Sequence, residues 1–286
     1  MALEKLASPL GSWSQTDTLR SPRERLPTMY DLPSEDPEEP GLPDEFHLLQ
    51  PQLLRETFRP ATYPPERIFV GIDMNLYYTL NHPRWHKRPD WFAVLGVSRW
   101  YAEADLRLSY VIWQEEVSPY LLVELLSPGT EADDLGRTPY DIQQPPTKWM
   151  VYEQILQIPY YVVFSRHTGE LHYFVLQEGR YREVHPADGR LRLPEAGLGI
   201  GLWRGAYEGL ERDWLRFCDA NGVWVPTPLE REQQRAEQEH LRAEQGWQQA
   251  EQERLRAEQG WQQAEQERLR AERLAAQLKA RGIEPE

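Results

Sequence analysis

The sequence contains almost no cysteine, since Cys218 is the single one in 286 residues. An internal disulfide is therefore excluded, and a reducing compartment fits the composition. Long apolar runs are also missing, because none approaches the roughly 20 residues that a membrane helix needs. The N-terminus lacks the apolar segment of a signal peptide. These absences lead us to expect a soluble, cytoplasmic protein that does not associate with a membrane.

Positive charge is scarce as well. The formal net charge of -14 argues against non-specific coating of a nucleic acid backbone. The charge is unevenly spread: Asp31 to Glu45 contains seven acidic residues and no basic one. The segment from His82 to Arg88 instead holds three full positive charges, two histidines and one tryptophan. A local basic groove therefore remains compatible with the composition.

The N-terminal part of the chain is rich in proline and acidic residues. Four prolines exclude a regular helix or a central strand there, namely Pro33, Pro37, Pro40 and Pro43. We predict a Pro-rich, acidic and partly disordered arm over residues 1–65. One short helix is expected within it, from Leu48 to Phe58.

One glutamate lies inside an apolar run. The segment from Tyr120 to Leu126 is apolar or aromatic except for Glu124, and Ser127-Pro128-Gly129 ends it. This pattern is typical of a strand that is covered on both faces. A bare carboxylate there would cost several kcal/mol. Glu124 must therefore be protonated, pair with a cation or bind a metal.

Further strands are predicted on both sides of this run from their β-branched and aromatic residues. They cover 67–80, 91–97, 106–113, 160–165, 171–176 and 181–184, and 167–170 is expected to close a hairpin. A loop is expected over 129–146. A helix is predicted from Thr147, as its N-cap, to Ile158. The segment 197–219 contains a Gly-rich turn and spaced aromatic residues, without an assigned element.

The composition changes sharply after Pro228. A 14-residue sequence recurs, which places Trp247 and Trp261 at heptad position a, with an alanine at every position d. We predict a long helix over residues 229–282, on the order of 75 Å at 1.5 Å per residue. The seam is thin and interrupted by arginine. A weak coiled coil and a solvated single helix are both compatible with it.

The candidates for chemistry are few. Asp90 follows a proline at the start of an apolar strand, Glu124 lies inside another, and Lys148 opens the next helix with Tyr152 one turn later. Two carboxylates from adjacent strands can hold one divalent cation, because Mg²⁺ takes one or two protein carboxylates and keeps its waters. A bound water could then attack a phosphodiester, with a lysine nearby to stabilise the developing charge.

The order Pro-Asp, then Glu inside an apolar strand, then Lys, resembles the PD-(D/E)XK nuclease superfamily. The segments KRPDWF, LLVELLSPGTEADDLG, PPTKWMVYEQI and IPYYVVF are similar to the Uma-type family of restriction endonucleases, over roughly residues 25–225. The resemblance implies an α/β fold with a restriction-endonuclease-like core over residues 66–226. That core is a mixed sheet flanked by helices, here followed by the long C-terminal helix.

The resemblance also implies roles for individual residues. Asp90 and Glu124 match the pair that binds Mg²⁺ or Mn²⁺, and they are predicted to be catalytic together with Lys148. The superfamily pattern places its lysine two residues after the acid, where this sequence has Leu126. Lys148 of the next helix matches that lysine instead, and Tyr152 is expected to brace it. DNA contacts are predicted at three residues of the basic segment, namely Arg84, Lys87 and Arg88.

Each of these residues also has a simpler interpretation. Glu124 could pair with a buried cation such as Lys148 without any metal, and Asp90 could be an ordinary turn residue. Asp73 is interpreted as a carboxylate at a strand end, and Ser127 as a cap at a strand end. Asp133 and Asp134 are interpreted as solvated charges of a loop. The basic segment 82–88 could be an ordinary exposed loop.

The expected function is a metal-dependent endonuclease that hydrolyses DNA. One alternative is a catalytically degraded nuclease fold that acts as a scaffold through its helical tail. Another is a module that binds DNA without cleaving it. A homodimer, formed through the core or through the C-terminal helix, is compatible with each of them.

Overall fold

The computed structural model describes residues 44–102, 105–127, 131–140 and 144–280. The chain divides into two compact units, one ending at Val225 and the other beginning at Pro226. The arm predicted over residues 1–65 lies outside the described residues as far as residue 43. Within the described ranges, no helix combines the length and the apolar character that crossing a bilayer requires.

A six-stranded mixed sheet forms the centre of the first unit, in the order β1-β4-β6-β7-β8-β9. All its neighbouring strands are antiparallel except β6 and β7, which run parallel. Its strands are β1 (Ile68–Ile72), β4 (Trp91–Leu95), β6 (Leu121–Leu125), β7 (Tyr160–Phe164), β8 (Leu171–Gln177) and β9 (Arg180–Val184). The predicted α/β fold with a mixed sheet is confirmed.

The strand β6 is buried along its whole length, as its apolar run predicts. Its odd-numbered residues, such as Leu121 and Val123, pack into one hydrophobic cluster. Leu122 and Leu126 pack into a second cluster on the opposite face. Because side chains alternate along a strand, Glu124 points toward the second cluster.

The helix α1 (Glu45–Thr57) and a three-stranded sheet cover the first face. The strands of that sheet are β10 (Arg190–Leu193), β11 (Leu198–Tyr207) and β12 (Leu210–Asp219). Phe46 of α1 stacks on Trp214 of β12, with ring centroids 5.7 Å apart. The helix predicted from Leu48 to Phe58 is therefore present, and it forms part of the core.

The second face is covered by a small sheet and by the helix that carries Lys148. The small sheet has the order β3-β2-β5, with β2 (Leu76–Tyr77), β3 (His86–Lys87) and β5 (Tyr110–Val111). The predicted strand over 67–80 is thus split between β1 and β2, at Asp73, where φ is +46°. The strand predicted over 106–113 is wrong for most of its length, because only β5 is extended and α2 (Ile112–Glu115) follows it directly.

The predicted helix that begins after Thr147 is confirmed. The Thr147 side chain accepts a hydrogen bond from the Met150 amide, so it acts as the N-cap. The first turn is α4 (Lys148–Met150), and the helix then widens into a π-helical segment (Val151–Ile155). Such π turns occur frequently at functional sites.

The loop predicted over 129–146 contains one further short helix, α3 (Glu131–Asp134). Just beyond it, Gly136 has φ +67°, and a Cβ atom there would lie 2.5 Å from Trp149 Cδ2. Only glycine allows this backbone to approach the tryptophan so closely. The contact brings α3 against the beginning of α4.

The second unit is the helix α5 (Pro228–Ala280), which confirms the predicted helical tail. All its side chains from Gln233 onward are exposed, and Trp247 and Trp261 expose 79% and 78% of their surface. Arginine and glutamate pair along it, as between Arg254 and Glu251. Such pairs support a solvated helix, and the coiled coil stays a prediction.

Candidate active site

Asp90 and Glu124 meet at one edge of the central sheet. Asp90 directly precedes β4, and the antiparallel register places Trp91 opposite Val123. Continued by one residue, this register places Asp90 opposite Glu124, so both side chains belong to the same face. The Asp90 amide donates a hydrogen bond to Glu124 Oε2 at 3.4 Å. The Leu125 amide donates one to Asp90 Oδ2 at 2.6 Å.

Both oxygens of Glu124 have partners from the helix that follows β6. The Tyr152 hydroxyl donates a hydrogen bond to Oε1 at 2.9 Å, and Lys148 Nζ lies 3.2 Å from Oε2. Tyr152 was expected to brace Lys148, but the hydrogen-bond partner of its hydroxyl is Glu124. Lys148 precedes the π-helical segment and Tyr152 is its second residue, and both reach the same carboxylate.

Asp134 completes the cluster, and the sequence interpretation missed it. It was expected to be a solvated loop charge, but its side chain is only 1% exposed and lies 2.7 Å from Lys148 Nζ. The reason is the close approach at Gly136, which brings α3 against α4. Asp133, the neighbouring acid, is half-buried instead. Lys148 thus bridges two carboxylates, those of Glu124 and Asp134.

A comparison of the whole sequence with protein families identifies the family of the chain. Residues 17–210 match the model of the Uma2 family, which is described as a putative restriction endonuclease. The chain belongs to the Uma2 family. This family is part of the PD-(D/E)XK-like nuclease superfamily. No curated protein matches the chain.

In this Uma2 chain, the lysine reaches the acidic pair from the helix after β6. Leu126, at the position where the superfamily pattern has lysine, packs into the second hydrophobic cluster. Lys148 is instead the lysine whose Nζ atom contacts Glu124. The loop between β6 and α4 therefore does not prevent Lys148 from joining the site.

The cluster perturbs the protonation of its members. Burial raises the pKa of Glu124 well above its usual range, and Lys148 offsets this only in part because Asp134 and Asp90 act in the same direction as burial. Burial likewise raises the pKa of Asp90. Burial alone would lower the pKa of Lys148, but Glu124, Asp134 and Asp90 outweigh it and hold this pKa above its usual value. Lys148 is therefore an ammonium group at neutral pH.

Fully ionised, the four groups would carry an excess of negative charge. With Asp90, Glu124 and Asp134 ionised, three carboxylates face the single ammonium of Lys148. Among the described residues, Asp134 Oδ2 is buried without a hydrogen-bond partner. The ion pair between Lys148 and Glu124, expected from the simpler interpretation, is present. In the fully ionised state it would leave two negative charges uncompensated, which agrees with the raised pKa values of Glu124 and Asp90.

These residues fit a divalent cation of the magnesium type. Among the residues that the structure describes, no three His, Cys, Asp or Glu side chains are placed to hold a metal by themselves. Asp90 and Glu124 supply the one or two carboxylates through which Mg²⁺ binds, and water or substrate oxygens would complete its shell. A dication at Asp90 and Glu124 would also balance the excess charge.

The predicted DNA contacts differ in their surroundings. Arg84 is exposed, and beside it the His82 ring stacks on Trp85 with centroids 3.7 Å apart. Arg88 instead donates a hydrogen bond to Asp73 Oδ2 at 2.6 Å. Arg88 is thus already paired, and Asp73 has the ordinary strand-end role.

Lys87 lies closer to the acidic cluster than the rest of the basic segment. It is half-buried on β3, and burial lowers its pKa while the acidic groups of Asp133, Glu124 and Asp134 act against that effect. No carboxylate of the described residues forms an ion pair with it. Lys87 is therefore a basic side chain whose protonation responds to the acidic cluster.

Proposed function

We propose that this protein is a metal-dependent endonuclease that hydrolyses phosphodiester bonds of DNA. One observation carries the proposal: Asp90, Glu124 and Lys148 come from three separate segments and lie together at one edge of the sheet. The Asp90 amide and Lys148 Nζ both contact Glu124 Oε2, and the Asp90 carboxylate accepts from the amide of the next residue, Leu125. Membership of the Uma2 family supports it. Convergence of two acids and a lysine on a site with excess negative charge is what metal-assisted hydrolysis requires.

Each residue has a role that follows from its contacts. Asp90 and Glu124 would hold Mg²⁺ or Mn²⁺, which when bound polarises a phosphoryl oxygen and lowers the pKa of a bound water. Lys148 can stabilise the negative charge that develops on the phosphate. Asp134 fixes the ammonium group of Lys148, and the Tyr152 hydroxyl fixes the orientation of Glu124.

The basic segment supports DNA as the substrate. Because the chain has a net charge of -14, phosphate contacts must come from a local group of cations. Arg84 and Lys87 provide such cations only a few residues before Asp90. The stacked pair of His82 and Trp85 adds an aromatic surface on which a base can stack.

Nicking of supercoiled plasmid in the presence of Mg²⁺ tests the proposal. We expect Asp90→Asn and Glu124→Gln each to reduce the rate by about 100-fold or more, because each removes a charge that acts in the transition state. Glu211→Gln, at a carboxylate whose side chain is 73% exposed on β12, is the matched control and should leave the rate unchanged. Equal rates in all three variants and the native protein would exclude this site.

The alternative function is that of a scaffold on a degraded nuclease core. The observation that favours it is the ion pair between Lys148 and Glu124, which partly neutralises the glutamate without a metal. Calorimetric titration with Mg²⁺ or Mn²⁺ separates the two functions. Binding that Glu124→Gln removes supports the nuclease, whereas a native protein that binds neither cation supports the scaffold.

A further inference from the structure

A buried histidine lies behind the acidic pair, on the opposite face of β6. His47 is in the first turn of α1, and its side chain is only 3% exposed. Its Nδ1 atom lies 3.0 Å from Asp44 Oδ1, and its Nε2 atom lies 3.1 Å from the carbonyl oxygen of Leu125. Leu125 is the residue that follows Glu124 on β6.

Both hydrogen-bond partners of this imidazole are acceptors. A peptide carbonyl has no proton to donate, and neither does an ionised carboxylate. Burial raises the pKa of Asp44, but His47 and Arg166 outweigh it and lower this pKa to about 2. Asp44 is therefore a carboxylate, and His47 donates from both ring nitrogens.

The two polar groups of Leu125 connect His47 to the site. The Leu125 carbonyl accepts from His47, while its amide donates to Asp90 Oδ2 at 2.6 Å. Only two dihedral angles, φ and ψ of Leu125, separate its amide from its carbonyl, so a contact that holds the carbonyl restricts the movement of the amide. The contact from α1 therefore constrains the direction in which the Asp90 carboxylate is held.

Helix capping alone does not explain the imidazole. Asp44 is the N-cap of α1, and it already accepts a hydrogen bond from the backbone amide of His47 at 3.1 Å. That bond would form with any residue except proline at position 47. The bond from Nε2 to Leu125 is additional, and it spans 78 positions of the sequence.

We propose that His47 is a positioning residue, which orients the Asp90 carboxylate through the backbone of Leu125. The inference rests on the proposed function, since Asp90 acts there as a metal ligand. Residues that orient metal ligands typically change metal affinity or activity by 10- to 100-fold when they are replaced. Asp44 contributes by fixing the orientation of the ring.

Two substitutions at this position form a matched pair. In His47→Gln the side-chain amide lies near the place of Nε2 and keeps a donor toward Leu125. In His47→Asn it lies near the place of Nδ1 and keeps only the donor toward Asp44. Both remove the ring and its charge, so a general loss of packing would affect them similarly.

We expect His47→Gln to retain kcat within about 3-fold, and His47→Asn to lower it by about 10- to 100-fold with KM for DNA unchanged. Similar urea midpoints for the two variants would show that stability does not cause the difference. Equal kcat values in the two variants would overturn the inference.

A second measurement does not depend on cleavage. In protein labelled with ¹⁵N-leucine, the amide resonance of Leu125 should shift in His47→Asn and stay near its native position in His47→Gln. An unchanged resonance in both variants overturns the inference, even if the protein cleaves DNA.

A native protein that neither binds Mg²⁺ nor cleaves DNA contradicts the proposed function. The shift of the Leu125 resonance then still decides whether His47 acts on Leu125. If His47→Asn does not fold, the variant Asp44→Asn replaces it, because asparagine retains an N-cap. Asp44→Asn should lower kcat and shift the Leu125 resonance. If neither kcat nor the resonance changes, the inference is overturned.

Discussion

Replacing Lys148 by methionine should destabilise the protein, and a divalent cation should reverse part of the loss. Lys148 bridges Glu124 and Asp134, whose side chains are each 1% exposed. Methionine retains much of the volume of lysine but leaves both carboxylates buried without a counter-charge. The variant thus isolates the electrostatic contribution of the ammonium group.

The size of the effect follows from burial. Removing one partner of a buried ion pair typically costs 3–5 kcal/mol. The Lys148 side chain is 19% exposed, so water can partly reach the carboxylates that remain. We therefore expect a loss of about 3 kcal/mol at pH 8 in EDTA, at the lower end of that range. The double variant Lys148→Met/Glu124→Gln should recover about half of this loss, because Asp134 stays unpaired.

Urea unfolding followed by tryptophan fluorescence measures these differences. Trp91 and Trp214 are fully buried, whereas Trp247 and Trp261 on α5 are exposed already in the folded state and contribute little to the change. Addition of Mg²⁺ at 100 times its dissociation constant should stabilise the native protein by about 2.7 kcal/mol. The gain should be larger in Lys148→Met, because the dication replaces the missing charge.

Two results would refute this reasoning. A loss below about 1 kcal/mol in Lys148→Met would mean that the carboxylates are solvated or protonated without the lysine. Equal stability of the single and the double variant would mean that Glu124 is not the group left uncompensated. A matched substitution on the tail, Lys279→Met, should change neither stability nor the response to Mg²⁺.

Two further predictions concern pH and salt. The pKa values of Asp90 and Glu124 are raised in the folded state, so the folded protein binds more protons than the unfolded one above their ordinary values of 3.8 and 4.5. The free energy of unfolding in EDTA should therefore fall as the pH rises from 5 to 8. Glu124→Gln should flatten this pH dependence. A free energy of unfolding that rises over this range in the native protein would contradict the raised pKa values. Arg84→Ala should weaken DNA binding, measured by fluorescence anisotropy, and reduce the slope of log K against log salt by about one. The control Glu183→Ala, at an exposed residue of β9, should leave the slope unchanged. An equal slope in the two variants would exclude the Arg84 contact.

Local patterns predicted the elements whose signal lies in consecutive residues. The apolar run around Glu124 predicted a strand buried on both faces, and Thr147 predicted the beginning of the helix that carries Lys148. The cost of burying Glu124 identified a partner as necessary. The residue pattern offered Asp90 and Lys148 as candidates, and the resemblance then assigned them roles.

Features that depend on tertiary contacts were not predictable in this way. Asp133 and Asp134 are adjacent acids in an acidic loop, and only the approach of Gly136 to Trp149 determines which of them is buried. The hydroxyl of Tyr152 reaches Glu124 after a π-helical widening that no sequence period indicates. His47 contacts Leu125 across 78 positions, beyond the reach of any local pattern.

The contacts of Tyr152 and Lys148 with Glu124 also bear on ligand selection. With Tyr152 on one oxygen and Lys148 on the other, the carboxylate has a fixed rotamer before any ligand arrives. Ordering a flexible side chain on binding costs about 0.5–1.5 kcal/mol, and here that ordering is completed during folding. A rigid ligand adapts poorly to ions of different radius, so the site should discriminate by size, accepting Mg²⁺ and Mn²⁺ while disfavouring the larger Ca²⁺.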